Sequence, residues 1–193
     1  MNEPAAQRII VGVSGASGAI YGLRMLQALR NANVETHLIV SKAAEMTLGY
    51  ETDLKLKDLR EMADHFHPAG DIGASISSGS FKTLGMAIVP CSIRTMSEIA
   101  SGVTTSLMSR AADVVLKERR RLVLALRETP LHSGHLRTML HLSEMGAVIA
   151  PVVPAFYNRP QTIDDIVNHT VGRLLDLFGI DAGLVKRWRA DEE

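Results

Sequence analysis

Ile9-Ile10-Val11-Gly12-Val13-Ser14-Gly15-Ala16-Ser17-Gly18-Ala19 is the stretch that decides how the chain is read. An apolar run breaks into glycines and serines, and an amphipathic segment follows at once. That order predicts a buried strand, a tight turn and a helix N-terminus. Glycines let a backbone come close to a ligand, and a helix start offers unpaired N–H groups at the positive end of its dipole. A phosphate or the edge of a flat heterocycle suits such a turn; so does a plain strand–helix connection with no ligand. The spacing Gly12-x-x-Gly15-x-x-Gly18 is not the dinucleotide G-x-G-x-x-G. It is not a P-loop either, since no Gly-Lys-Ser/Thr follows.

With 193 residues there is material for one domain with a full core, and residues 1–193 are read as a single unit. Hydrophobic residues make up 46% and charged residues 22%, and 21 basic side chains balance 21 acidic ones. A zero net charge argues against a nucleic-acid binder, which carries a basic excess, and leaves self-association open. The single cysteine excludes an internal disulfide framework and a Cys-rich zinc site. Met1–Arg8 is short and polar, unlike a signal peptide, and no apolar run approaches the ~20 residues of a membrane span. The cytoplasm is the expected compartment.

Beyond the opening turn, Ala19 to about Asn31 places Ile20, Leu23, Leu26 and Leu29 near one helix face. Val34–Val40 reads as a second strand. In an NAD-binding unit it would end in an acidic residue for the ribose; here Ser41-Lys42 stands there, which suits a phosphate or a helix N-cap by Ser41. A helix to about Leu48 and another ending near Asp64 follow. His65–Ser80 lacks a period and reads as a long loop. Its His65 and His67 resemble solvated histidines more than metal ligands, since no third ligand is evident. Met86–Pro90 is a fully apolar strand leading into the polar turn Cys91-Ser92-Ile93-Arg94-Thr95 and a helix to about Ala100. Ser106–Arg119 is helical, Leu122–Leu126 a strand, Ser133–Met145 a helix and Ala147–Val153 a fifth strand. Gln161–Phe178 forms a long amphipathic helix, and a tail from about residue 179 holds Trp188, packing near the site or on a neighbouring subunit.

Alternating strands and helices predict an α/β fold: a three-layer, doubly wound, Rossmann-like domain with a mainly parallel sheet and ligands beyond the strands' carboxyl ends. Ser14, Ser17, Ser41, Cys91 to Thr95, Arg127, Glu128 and Tyr157 collect at those ends. Such a set suits an anionic ligand with a long hydrogen-bonding body, such as flavin mononucleotide (FMN).

Several blocks carry a resemblance. They are Gly15–Gly22, Ser41-Lys42-Ala43-Ala44, Glu51-Thr52-Asp53, Ser77–Phe81, Pro90-Cys91-Ser92 and Arg110–Val114, then Leu116–Arg120, Arg127-Glu128-Thr129-Pro130 and Pro154-Ala155-Phe156-Tyr157. Together, over residues 8–189, they resemble the UbiX-type flavin prenyltransferases, once described as aromatic-acid decarboxylases. The resemblance implies transfer of a dimethylallyl group from dimethylallyl phosphate to N5 and C6 of reduced FMN. It also implies delivery of prenylated FMN to a UbiD-type decarboxylase, as in ubiquinone biosynthesis, and a homododecamer built from trimers. One departure is Arg121, where the family block reads proline.

Loss of phosphate from an allylic donor leaves a cation or near-cation, and the departing anion needs positive charge. The resemblance assigns that phosphate to Arg110, Lys117, Arg127, Tyr157 and Arg173. Arg173 is expected to face inward from the last helix, where it would need an anion, although a surface arginine is the alternative. Ser17, Glu51, Lys117 and Glu128 are the expected catalytic residues, the carboxylates moving a proton or balancing the cation. FMN contacts fall on Gly15, Ala16, Ser17, Ser41, Ser92, Ile93, Arg94, Thr95 and Arg127. No metal is implied, since the cations replace magnesium. The alternatives are a flavin-dependent cysteine decarboxylase, whose Pro-Ala-Ser-Ala-Asn-Thr block this chain lacks, and a non-catalytic FMN-binding module.

Overall fold

The computed structural model describes residues 7–188. Met1–Ala6 of the polar N-terminal stretch and Ala190–Glu193 with Arg189 at the end of the tail lie outside them. The elements are β1 (Arg8–Val13), α1 (Ala19–Asn31), β2 (Glu35–Val40), α2 (Lys42–Glu51), α3 (Leu56–Met62), β3 (His65–Pro68), β4 (Gly85–Cys91), α4 (Ile93–Ala100), α5 (Leu107–Lys117), β5 (Arg121–Leu126), α6 (Ser133–Glu144), β6 (Val148–Ile149) and α7 (Ile163–Asp176). The strands form one six-stranded sheet in the order β3-β2-β1-β4-β5-β6, every pair parallel. Strand order reverses between β1 and β4, so a crevice opens beyond their carboxyl ends.

Side-chain alternation along the strands builds two cores at once. Ile9, Val11, Val13, Leu38 and Val89 meet Met25, Leu26 and Leu29 of α1 and Val171 and Leu175 of α7. Ile10, Ile39, Met86, Ile88 and Leu124 point to the opposite face, against Met96 of α4, Ala111 and Val115 of α5 and Leu142 of α6. The strands are therefore apolar on both faces, as a covered parallel sheet requires.

Two details differ from expectation. The long loop begins with β3, whose residues His65–Pro68 pair with His37–Val40. Four residues at a sheet edge owe their extended form to the neighbouring strand rather than to a pattern of their own, so periodicity passes over them. At the other edge, β6 is only Val148–Ile149. Ala150 and Val152 still donate to Leu124 and Leu126 at 2.9 Å, but Pro151 between them has no N–H to give. After α7, Ile180 is buried, Leu184 and Val185 lie against Gly172, and the Trp188 ring meets Tyr157 edge-on at 5.4 Å. Among the described residues, no helix is long and apolar enough to cross a membrane.

Candidate active site

Ser14 locks the opening turn. Its buried hydroxyl donates to the Pro90 carbonyl at 2.8 Å and accepts the Ser92 N–H at 2.7 Å, tying the end of β1 to the end of β4. Ser14 is thus spent on the backbone rather than offered to a ligand, a correction to its place in the expected polar set. Cys91 is corrected likewise: it is fully buried, and burial pushes its thiol up to about 12, so it supplies no thiolate.

Beyond this clamp, the N-termini of α2, α4 and α5 converge. Ser41 caps α2 by accepting from Ala44 at 3.1 Å, Ser92 caps α4 from Thr95 at 3.3 Å, and Ser106 caps α5 from Ser109 at 3.2 Å. All three line one cleft of about 260 Å³ together with Gly15, Lys42, Arg94 and Thr95. Three positive helix ends with free N–H groups form a cradle for an anion. Gly15 is required there, because a Cβ would drive into the Cβ of Ala43. This donor set fits the phosphate-bearing end of FMN. Arg94 lies on the cleft wall but pairs with Glu98 at 2.9 Å. Ser106 escaped the sequence reading of the site; its signal was the Ser-x-x-Ser spacing of a capping box at the helix start.

Glu51 reaches the same turn from the end of α2. Gly18 takes up a left-handed conformation (φ 104°) and offers α1 no side-chain cap. Glu51 caps that helix instead, its Oε2 accepting from Gly18 and Ala19, both at 2.9 Å. Burial alone would raise its pKa. The Ser17 hydroxyl, the Ala19 and Gly18 amides and the Arg127 charge outweigh that and hold it below the usual glutamate range. Of the two roles open to Glu51, the geometry supports a fixed negative charge rather than a proton donor at neutral pH. Ser17 is exposed beside it, while Ala16 is buried in the turn. Arg127 follows β5, its N–H bonded to the Cys91 carbonyl at 3.1 Å. Glu128 is exposed and accepts from the Thr129 N–H at 3.0 Å.

The remaining expected residues do not join this cleft within one chain. Arg110 lies in the first turn of α5, paired with Asp113 at 2.9 Å. Lys117, at the far end of that helix and about 10 Å further along its axis, pairs with Glu118 at 2.5 Å. Tyr157 and Arg173 share a separate cleft of about 390 Å³ walled by Val148, Val153, Ala155 and Leu177. Arg173 is not inward-facing: its side chain is 54% exposed and pairs with Asp176 at 2.6 Å. The α7 face it occupies is open to solvent, so it needs no buried anion. Tyr157 Oη lies 3.0 Å from Nε2 of His169, a buried histidine that sequence reasoning overlooked because it stands off the apolar stripe of α7 that Val167, Val171 and Leu174 form.

Known proteins share this fold. A family model described as "Flavoprotein" matches residues 2–175. The flavin prenyltransferase UbiX of Escherichia coli is 60% identical over 186 residues, covering 95% of this chain and 98% of that protein. The crystal structure of AnUbiX in complex with FMN and dimethylallyl pyrophosphate superposes with a TM-score of 0.93 at 53% identity, covering 94% of this chain and 97% of that one. A dodecameric FMN-dependent UbiX-like decarboxylase from Escherichia coli gives a TM-score of 0.92 at 51% identity over 94% and 99% of the two chains. With a covered parallel sheet, an anion cradle at its switch point and relatives of this closeness along nearly its whole length, the chain belongs to the flavoprotein family, among the UbiX-type flavin prenyltransferases.

Proposed function

We propose that the protein transfers a dimethylallyl group from dimethylallyl phosphate to reduced FMN, releasing phosphate. The observation that carries this reading is the convergence of three serine-capped helix N-termini on the glycine turn that Glu51 closes. Reduced flavin, when bound, supplies the nucleophilic atoms that take up the prenyl group. Gly15, Ala16, Ser17, Ser41 and Ser92–Thr95 hold it through backbone donors and hydroxyls. Glu51, kept anionic beside Ser17, offsets positive charge developing on the prenyl carbon. Arg110, Lys117, Arg127, Tyr157 and Arg173 receive the departing phosphate, which needs no metal. Glu128 remains the candidate for proton transfer.

Arg110, Lys117, Tyr157 and Arg173 stand apart from the cleft in one chain, so the complete site forms where protomers meet. Val153, Phe156, Tyr157 and Trp188 are all exposed around the second cleft and supply an apolar surface for that contact. The dodecameric relative supports the same assembly for this chain, which acts as one flavin-binding unit in the cytoplasm and delivers its product to a UbiD-type decarboxylase. The test is anaerobic incubation with reduced FMN and dimethylallyl phosphate, followed by flavin mass measurement. One added C5H8 unit is expected; an unchanged FMN mass refutes the reading.

A further inference from the structure

At the amino end of the β2–β3 edge, register brings together what the sequence separates. His37 pairs with His65 across the strands, their rings stacked at 4.6 Å. Glu35, two residues before His37 on the same face, aims Oε1 at both: 3.1 Å from His37 Nε2 and 3.3 Å from His65 Nε2. We propose that Glu35 Oε1, His37 Nε2 and His65 Nε2 form a site for one divalent transition-metal ion of the zinc class. The partner ligands that His65 lacks in sequence, Glu35 and His37, come from β2.

Ligand atoms from these three residues all lie within 4.8 Å of one another. Around a tetrahedral ion with bonds of ~2.0–2.1 Å, neighbouring ligands stand ~3.3 Å apart, close to the two spacings found. A second layer is also present. His67 Nε2 lies 2.9 Å from His37 Nδ1, so it can accept the Nδ1 proton and leave the Nε2 lone pair for a metal. Arg8 Nε holds Glu35 Oε2 at 2.8 Å, which orients the carboxylate. Its positive charge also lowers the affinity for a cation.

Burial holds His37 and His67 below the usual histidine range, and the Arg8 hydrogen bond holds Glu35 below the usual glutamate range. His65 is half exposed, which leaves an entry path and a fourth position for water. Six residue steps along β2 separate Glu35 from Ser41, ~20 Å at the rise of a β-strand, so the ion stays clear of the anion cradle. It would fasten the four-residue β3 to β2.

Full-length protein stripped with EDTA is titrated with Zn²⁺ against a chromophoric chelator, and separately with Co²⁺ while its visible spectrum is recorded. The expected result is one equivalent per chain, tetrahedral Co²⁺ bands and a zinc-induced rise in Tm. His65→Gln and Glu35→Gln should each weaken zinc binding at least tenfold and abolish the Tm rise, while His65→Gln keeps wild-type prenyl transfer. Absence of binding overturns the proposal. So does an equivalent that survives His65→Gln but is lost in His132→Gln, which would assign the ion to the stacked surface pair His132–His135.

Discussion

The cleft at the strand ends is lined mostly by polar residues and the cleft beside α7 mostly by apolar ones, and the two are completed differently. At the strand ends, Ser14, Ser41, Ser92, Ser106 and Glu51 each find a backbone partner within the chain. Beside α7, the walls are open, Phe156 and Val153 face solvent, and Nδ1 of buried His169 has no partner. A buried polar atom without a partner costs roughly 1–3 kcal/mol. The first cleft is therefore finished by the fold of one chain. We propose that the second is completed from outside, by a protomer or a ligand.

The sharpest way to break that distinction is Arg173→Ala. If the second cleft delivers charge to the leaving phosphate, turnover falls on the order of 10²–10³-fold, while FMN affinity stays at the wild-type value. Single-turnover prenylation and a fluorescence titration of FMN measure the two separately. Loss of FMN with unchanged turnover would merge the clefts into one flavin site and defeat the comparison.

Gly15→Val probes the other side. The added side chain meets Ala43 and must push the turn away from α2. Overpacking of that kind costs about 1–3 kcal/mol. FMN affinity should drop about tenfold or more, since 1.4 kcal/mol is a factor of ten, and Tm should fall with it. Normal FMN binding in this variant would show that the cradle does not depend on the close approach of turn and helix.

The parallel sheet and its crevice were legible because both leave local signals: apolar runs buried on two faces and serines at helix starts. Ser41 and Ser92 were readable for this reason, and Ser106 carried the same spacing. Tertiary facts left none. Glu51 as the cap of α1 depends on α2 ending beside a turn 33 residues earlier in the chain. Arg173 is expected to face inward because the resemblance assigns it to the phosphate, yet α7 packs through Val167, Val171, Leu174 and Leu175, which turns Arg173 outward. His37 and His65 meet only because β3 pairs with β2, an edge pairing that four residues cannot announce. The residues proposed for the phosphate do not share a cleft in one chain, and no spacing rule encodes a protomer interface.

The smallest expected effect lies at the junction between turn and cradle, in Glu51→Gln. Glutamine keeps an acceptor for Gly18 and Ala19 but removes the negative charge at the start of α1, a change worth about 0.3–1 kcal/mol. The pH dependence follows from the direction of the shift. The folded protein holds the Glu51 carboxyl below its unfolded value of roughly 4.3, so it binds its proton less tightly than the unfolded chain. Stability from the charge is complete above that unfolded value and is lost as pH falls through the lower, folded one. Urea midpoints for wild type and Glu51→Gln, compared at one protein concentration, should differ by a constant amount from pH 8 to 6 and converge below pH ~4. A gap that widens on acidification would mean that the carboxyl is protonated in the folded protein. Glu51 would then be the acid of the site rather than its fixed charge, and the strand-end cleft would no longer be a purely electrostatic cradle.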